Sequence, residues 1–139
     1  LAWANGMGPA CVAEIDGLNI FQATFWAMRR AVVALADNIG APAHVLVDGN
    51  KLPDWPYAAQ AVIGGDGLAP SIAAASILAK VTRDRDMAAL DAQFPGYGWA
   101  SNKGYGAKAH QIGLEKLGVT PHHRRSYAPI AKILRGETA

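Results

Sequence analysis

Apolar residues recur at helical spacing through Ile20, Thr24, Ala27, Met28, Ala31, Val32 and Leu35. That spacing predicts an amphipathic helix with one buried face. Asn19 is suited to cap its start, and Asn38 to Gly40 to end it. Phe21, Phe25 and Trp26 are expected in the core rather than as a base-stacking platform. The pattern then changes. His44-Val45-Leu46-Val47-Asp48 is a short run without alternation, which predicts a strand covered on both faces. Gln60 to Gly64 predicts a second short strand. The longest element is a helix from Pro70 to Gln93, with proline where the first turn tolerates it. Ile72, Ala75, Ala79 and Arg83 form one of its stripes, and Ile77, Lys80, Val81 and Asp84 another. It is expected to be a buried central helix.

The segments between carry turn chemistry. Leu1 to Gly6 reads as a short strand and Gly6 to Pro9 as a turn. Lys51 to Tyr57, with Pro53 and Pro56, is a loop. Phe94 to Gly98 breaks the long helix, and Trp99 to Gly106 is a second loop. A helix over Ala107 to Leu117 is stopped by Gly118. Thr120 and Pro121 then open a last helix carrying His122 to Tyr127. Strands alternating with helices predict an α/β domain over residues 1–139, with a helical, basic part from about 107.

Composition narrows the class. The 139 residues are 51% hydrophobic and 17% charged, which suits one folded domain. No apolar run is long enough for a bilayer and no secretory pattern opens the chain, so a membrane role is not expected. The single cysteine, Cys11, is compatible with a reducing cytoplasm. The net charge of +2 is uneven: residues 101–139 carry seven Lys or Arg against Glu115 and Glu137. That leaves a basic end, net +5, on an acidic body, net −3. Such an end suits a polyanion, and equally a solvated helical tail.

Asp48 closes the first predicted strand, and Asp66 follows the second two residues after its end. Adjacent strands could bring the two together. Clustered carboxylates repel unless a cation lies between them, and hard oxygen donors suit Mg²⁺ or Mn²⁺. Paired ions roughly 3.5–4 Å apart support phosphodiester hydrolysis. An Asp before Gly49 is also an ordinary turn residue, so spacing alone leaves both roles open. No Cys/His cluster has zinc spacing, and adjacent His122 and His123 would diverge on a helix.

Several stretches together resemble ribonuclease HII. They are Glu14-Ile15-Asp16 with Leu18-Asn19-Ile20, Val47-Asp48-Gly49-Asn50, Gly65-Asp66, Ser71 to Asp84, Lys103-Gly104-Tyr105-Gly106 and His123-Arg124-Arg125-Ser126-Tyr127. The resemblance implies a ribonuclease H-like mixed sheet flanked by helices. It implies cleavage of the RNA strand of RNA–DNA hybrids, and cutting at ribonucleotides embedded in duplex DNA, with Mn²⁺ or Mg²⁺. By position, Asp48 and Asp66 correspond to two of four catalytic, metal-binding acids. Tyr105 corresponds to the tyrosine that packs near the ribonucleotide, and Lys103 to a phosphate contact. A monomer in the cytoplasm is expected. The motifs fit type HII better than its sister type HIII, which shares the fold.

The chain departs from the family pattern at Gly64, where lysine or a larger residue is frequent, at Asn102, where histidine is frequent, and at Ala107, where threonine is usual. The family also opens on a strand with an Asp-Glu pair and then Gly-Arg-Gly, for which no stretch here corresponds. The expectation is a chain that starts at the third strand, lacks two of the four acids and is inactive by itself. The reading from another class is a non-catalytic nucleic-acid-binding module that uses the basic end.

Overall fold

A computed structural model describes residues 4–137. The elements in order are α1 (Val12–Leu18), α2 (Ile20–Ile39), β1 (Val45–Asp48), β2 (Ala59–Val62), α3 (Gly65–Leu68), α4 (Pro70–Gln93), α5 (Trp99–Asn102), α6 (Lys108–Leu117) and α7 (Ala128–Leu134). The class is α/β, as expected. Two compact units divide the chain, one ending at Ser76 and the other starting at Ile77.

In the first unit, β1 and β2 pair in parallel, with Val45 opposite Ala59 and Asp48 opposite Val62. Two further bonds frame the ladder, Val45 N–H to the Ala58 carbonyl and Gly49 N–H to that of Val62. Only Val47 of β1 is buried and Leu46 is exposed. Alternation therefore replaces the two-sided cover expected of this strand. The strand expected over Leu1 to Gly6 is not found at Ala4 to Gly6, which is irregular; Leu1 to Trp3 lie outside the described residues. Glycine explains the difference. A Cβ at Gly6 would stand 2.1 Å from the Ala31 carbonyl oxygen, and one at Gly8 2.1 Å from that of Ala27. This segment lies against the backbone of α2 instead of extending the sheet.

Helix α1, over Val12–Leu18, is not predicted by the sequence: seven residues that include Gly17 are too few for periodicity to stand out. Its start is held by the Glu14 carboxylate, which accepts the Cys11 N–H at 2.8 Å and pairs with Arg30. The Arg30 guanidinium, and then the Cys11 N–H, hold the Glu14 carboxyl down at about 2. Arg30 also donates to the Pro9 carbonyl at 2.9 Å, tying the irregular segment to α2. That helix starts and stops where expected. Asn19 Oδ1 accepts the N–H groups of Phe21 and Gln22 at 3.0 and 3.1 Å, and Gly40 ends the helix at φ 85°. The aromatic residues depart from expectation: Phe21 and Trp26 are exposed. Lys51 lies over the Phe21 ring and Arg29 over that of Trp26, at 5.2 and 5.5 Å from the centroids, contacts that favour a partly wet ring.

Helix α4 has the expected bounds but not the expected burial. Ile72 is its one buried residue, whereas Ile77 is 63% exposed and Leu78 and Val81 are exposed as well. At about 100° per residue, those three lie about 140–240° round the helix from Ile72. No single stripe can bury them all.

The second unit has a compact core of Tyr97, Trp99, Leu114 and Ile130. Tyr97 and Trp99 stack at 5.0 Å. Trp99 is only 2% exposed, and its backbone N–H donates to the Asp91 carboxylate at 2.7 Å. Glycine again permits close approach, since a Cβ at Gly113 would lie 2.7 Å from the Gly96 carbonyl oxygen. The expected helix over His122 to Tyr127 is a run of turns, and α7 begins only at Ala128. Thr120 therefore caps no helix; its Oγ1 accepts the His122 N–H within a turn. It also bonds the His123 ring at 2.9 Å and draws that ring inward, so the chain turns instead of coiling. His123 and His110 are both buried.

Two outcomes are expected from this packing. Asn19 holds its cap at φ 72°, a backbone that suits glycine better than alanine. Asn19→Ala should cost about 1–2 kcal/mol through the lost cap and the strained Cβ, and Asn19→Gly roughly a few tenths, read from urea midpoints at constant slope. Burial, and then neighbouring His110, push the His123 imidazole below its usual 6.5. As pH falls below 6.5 the unfolded chain takes up a proton that the folded one resists, so stability must drop. The urea midpoint should decline from pH 7.5 towards pH 5.5, with a shallower decline in His123→Gln.

Candidate functional site

Asp48 lies where β1 ends, at the carboxyl edge at which α/β sheets present ligands. The loop after β2 returns to it. Gly64, at φ 65°, turns the chain into the one-turn helix α3. Gly65 N–H then donates to Asp48 Oδ1 at 2.8 Å. The approach is close: a Cβ at Gly65 would lie 2.5 Å from Ile72 Cδ1 and 3.4 Å from Asp48 Oδ1. Asp66 is the next residue and stands in the first turn of α3. The strand, the turn and the small residue thus deliver the two acids to one end of the sheet. Among the described residues, no group of three or more His, Cys, Asp or Glu side chains is placed to hold a metal ion.

Lys103 and Tyr105 belong to the second unit. They line an open cleft of about 340 Å³ with Ala79, Lys80, Arg83 and Asp84. Three cations and one carboxylate make it basic. Lys80 pairs with Asp84 at 2.6 Å and holds that carboxyl below its usual value. Tyr105 is 70% exposed, and the Arg83 guanidinium lies 5.2 Å from its ring centroid. Arg83 also donates to the Lys103 carbonyl at 2.7 Å. The Lys103 ammonium is engaged locally, donating to the Ala100 carbonyl at 2.5 Å. Lys103 itself has φ 52°, so the loop turns sharply before presenting Tyr105. Asn102, where the family often has histidine, organises that turn. Its Oδ1 accepts the Gly104 N–H and its Nδ2 donates to the Tyr97 carbonyl.

Sequence reading missed the part played by Arg83. Its spacing sets it on a helix stripe, yet it braces the Tyr105 loop. The signal available was its position one turn beyond Lys80 on a basic stretch. The meeting of His110 with His123, Nε2 to Nε2 at 3.0 Å, was also missed. Thirteen residues separate them and no spacing rule joins them.

Residues 6–130 match the family described as Ribonuclease HII. The Ribonuclease HII of Sphingopyxis alaskensis is 56% identical over 128 residues, covering 92% of this chain and 63% of that protein. That of Rhodospirillum rubrum is 56% identical over 129 residues, 93% of this chain and 58% of its own length. That of Halorhodospira halophila is 53% identical over 137 residues, 98% of this chain and 69% of its own. The chain spans about six tenths of the length of the first two of these curated relatives. With 6–130 inside the family match and more than half of the aligned positions identical, the chain belongs to the ribonuclease HII family.

Proposed function

We propose that this chain carries two metal-binding acids, Asp48 and Asp66, of an endoribonuclease. Its reaction is cleavage of the RNA strand of RNA–DNA hybrids, and cutting at single ribonucleotides in duplex DNA, leaving a 5′-phosphate and a 3′-hydroxyl. The supporting observation is that Asp48, at the end of β1, accepts the N–H of Gly65, the residue just before Asp66. Two carboxylates are hard donors and fit Mg²⁺ or Mn²⁺. When bound, such an ion supplies an activated water and offsets charge at the phosphate. The Gly65 bond fixes the orientation of the Asp48 carboxylate. Two acids hold a pair of ions poorly, so the 139 residues alone are expected to cut slowly or not at all.

The basic cleft would take the nucleic-acid backbone. Lys80, Arg83 and Lys103 give salt-dependent affinity without sequence preference. Tyr105 offers a ring to the ribonucleotide, whose 2′-OH distinguishes RNA from DNA. The reading places both units in one ribonuclease H-like domain, a cytoplasmic monomer that removes ribonucleotides in DNA replication and repair. No helix among the described residues is long and apolar enough to cross a membrane.

The test is cleavage of a duplex containing one ribonucleotide, with Mn²⁺ or Mg²⁺, by a polypeptide of full family length bearing this sequence. Asp48→Asn keeps an oxygen for the Gly65 N–H, so the fold should persist. Asp48→Asn and Asp66→Asn should each lower the rate at least about 100-fold, with hybrid binding retained. Undiminished cutting by either variant would overturn the assignment. Metal-independent binding without cutting by the unaltered protein would instead favour a binding module.

A further inference from the structure

A chain of hydrogen bonds runs from the core of the second unit out to the exposed Tyr105, and its proton positions can be assigned. The Tyr105 carbonyl can only accept, and His110 Nδ1 lies 3.0 Å from it. His110 therefore carries its proton on Nδ1. Its Nε2 is then a lone pair, to which Trp99 Nε1–H donates at 3.3 Å. His123 Nε2 stands 3.0 Å from the same atom. The Thr120 backbone N–H donates to His123 Nδ1 at 3.1 Å, so His123 carries its proton on Nε2 and gives it to His110. With one proton on each ring no two donors and no two lone pairs meet head-on; the His110 Nε2 lone pair is shared by His123 Nε2–H and the longer Trp99 bond, and His123 Nδ1 is shared by the Thr120 backbone N–H and Oγ1. The opposite tautomer of either ring would set donor against donor, or lone pair against lone pair, in a site where both rings are less than a tenth exposed.

We propose that His110, held in this tautomer by His123, is a positioning residue for Tyr105. Its Nδ1–H clamps the Tyr105 carbonyl from the core side. Arg83 braces the same loop from α4 through the Lys103 carbonyl and lies over the exposed ring. Between the two, the Tyr105 backbone is fixed beside the basic cleft, and its exposed ring lies against Arg83, open to a ribose-phosphate unit. Neither histidine touches the nucleic acid. The inference rests on the reading of Tyr105 as the residue that meets the ribonucleotide.

The first arm of the test needs no nucleic acid. Nitrogen-15 spectra of the imidazoles in the unaltered protein should show a protonated Nδ1 at His110 and a protonated Nε2 at His123. The reverse assignment at His110 would overturn the clamp whatever Tyr105 does. The second arm compares binding of a duplex containing one ribonucleotide with binding of the same all-DNA duplex. His110→Asn keeps an amide donor near the Nδ1 position, whereas His110→Gln places its amide near Nε2 and loses the bond to the Tyr105 carbonyl. The preference for the ribonucleotide duplex should fall about tenfold in His110→Gln, the equivalent of one lost hydrogen bond, and by less than about twofold in His110→Asn. Equal loss in both variants would overturn the positioning role. If the tautomers are as assigned but Tyr105→Ala keeps the full preference, the reading of Tyr105 fails, and the proposed role for His110 fails with it.

Discussion

The bond from Gly65 N–H to Asp48 Oδ1 joins the end of β1 to the turn that starts α3. It is short in space and 17 residues long in sequence. Everything at that end of the sheet follows from it. The parallel register sets Asp48 opposite Val62. Gly64 reverses the chain at positive φ, and the absent Cβ of Gly65 lets the backbone amide reach the carboxylate over Ile72. A carboxylate held by a backbone donor has one orientation, which a ligand for a hard cation requires. The hydrogen bond also gives Asp48 a structural duty, so the residue is a turn-former and a candidate ligand together.

The second unit solves a different problem. An exposed tyrosine on a glycine-rich loop would ordinarily sample many conformations, because loops carry few buried contacts. Here the loop is fixed through its carbonyls. His110 takes the one at Tyr105, Arg83 the one at Lys103, and Gln111 the one at Gly106 at 3.2 Å. The histidine is in turn fixed by Trp99 and His123 inside the aromatic core. Buried polar groups are costly unless every one is satisfied, and among the described residues no buried side-chain nitrogen or oxygen lacks a partner.

Where local chemistry decided an element, the sequence made it legible. The Asn19 cap, the Gly40 and Gly118 stops, both strands and the full span of α4 could be read from residue types and spacing. The motifs around Asp48, Asp66, Lys103 and Tyr105 were legible through the family they resemble. What failed was of another kind. Burial depends on which elements meet, and the apolar residues of α4 spread around the helix, so Ile77 and Val81 are exposed where a central helix had been expected. The run from His122 to Tyr127 has helical residues, but the bonds from Thr120 to the His123 ring compete with the helix ladder and win locally. The contact of His110 with His123 is tertiary, and no periodicity announces it.

The claim that matters most is that Asp48 and Asp66 share a divalent cation. Paramagnetic broadening by Mn²⁺ reads this directly from backbone amide resonances of the 139-residue chain. If the two acids share the ion, the signals of Asp48, Gly65 and Asp66 are selectively lost as Mn²⁺ is added, and recover in Asp48→Asn. Broadening centred elsewhere, or broadening at Gly65 that Asp48→Asn leaves unchanged, would contradict it.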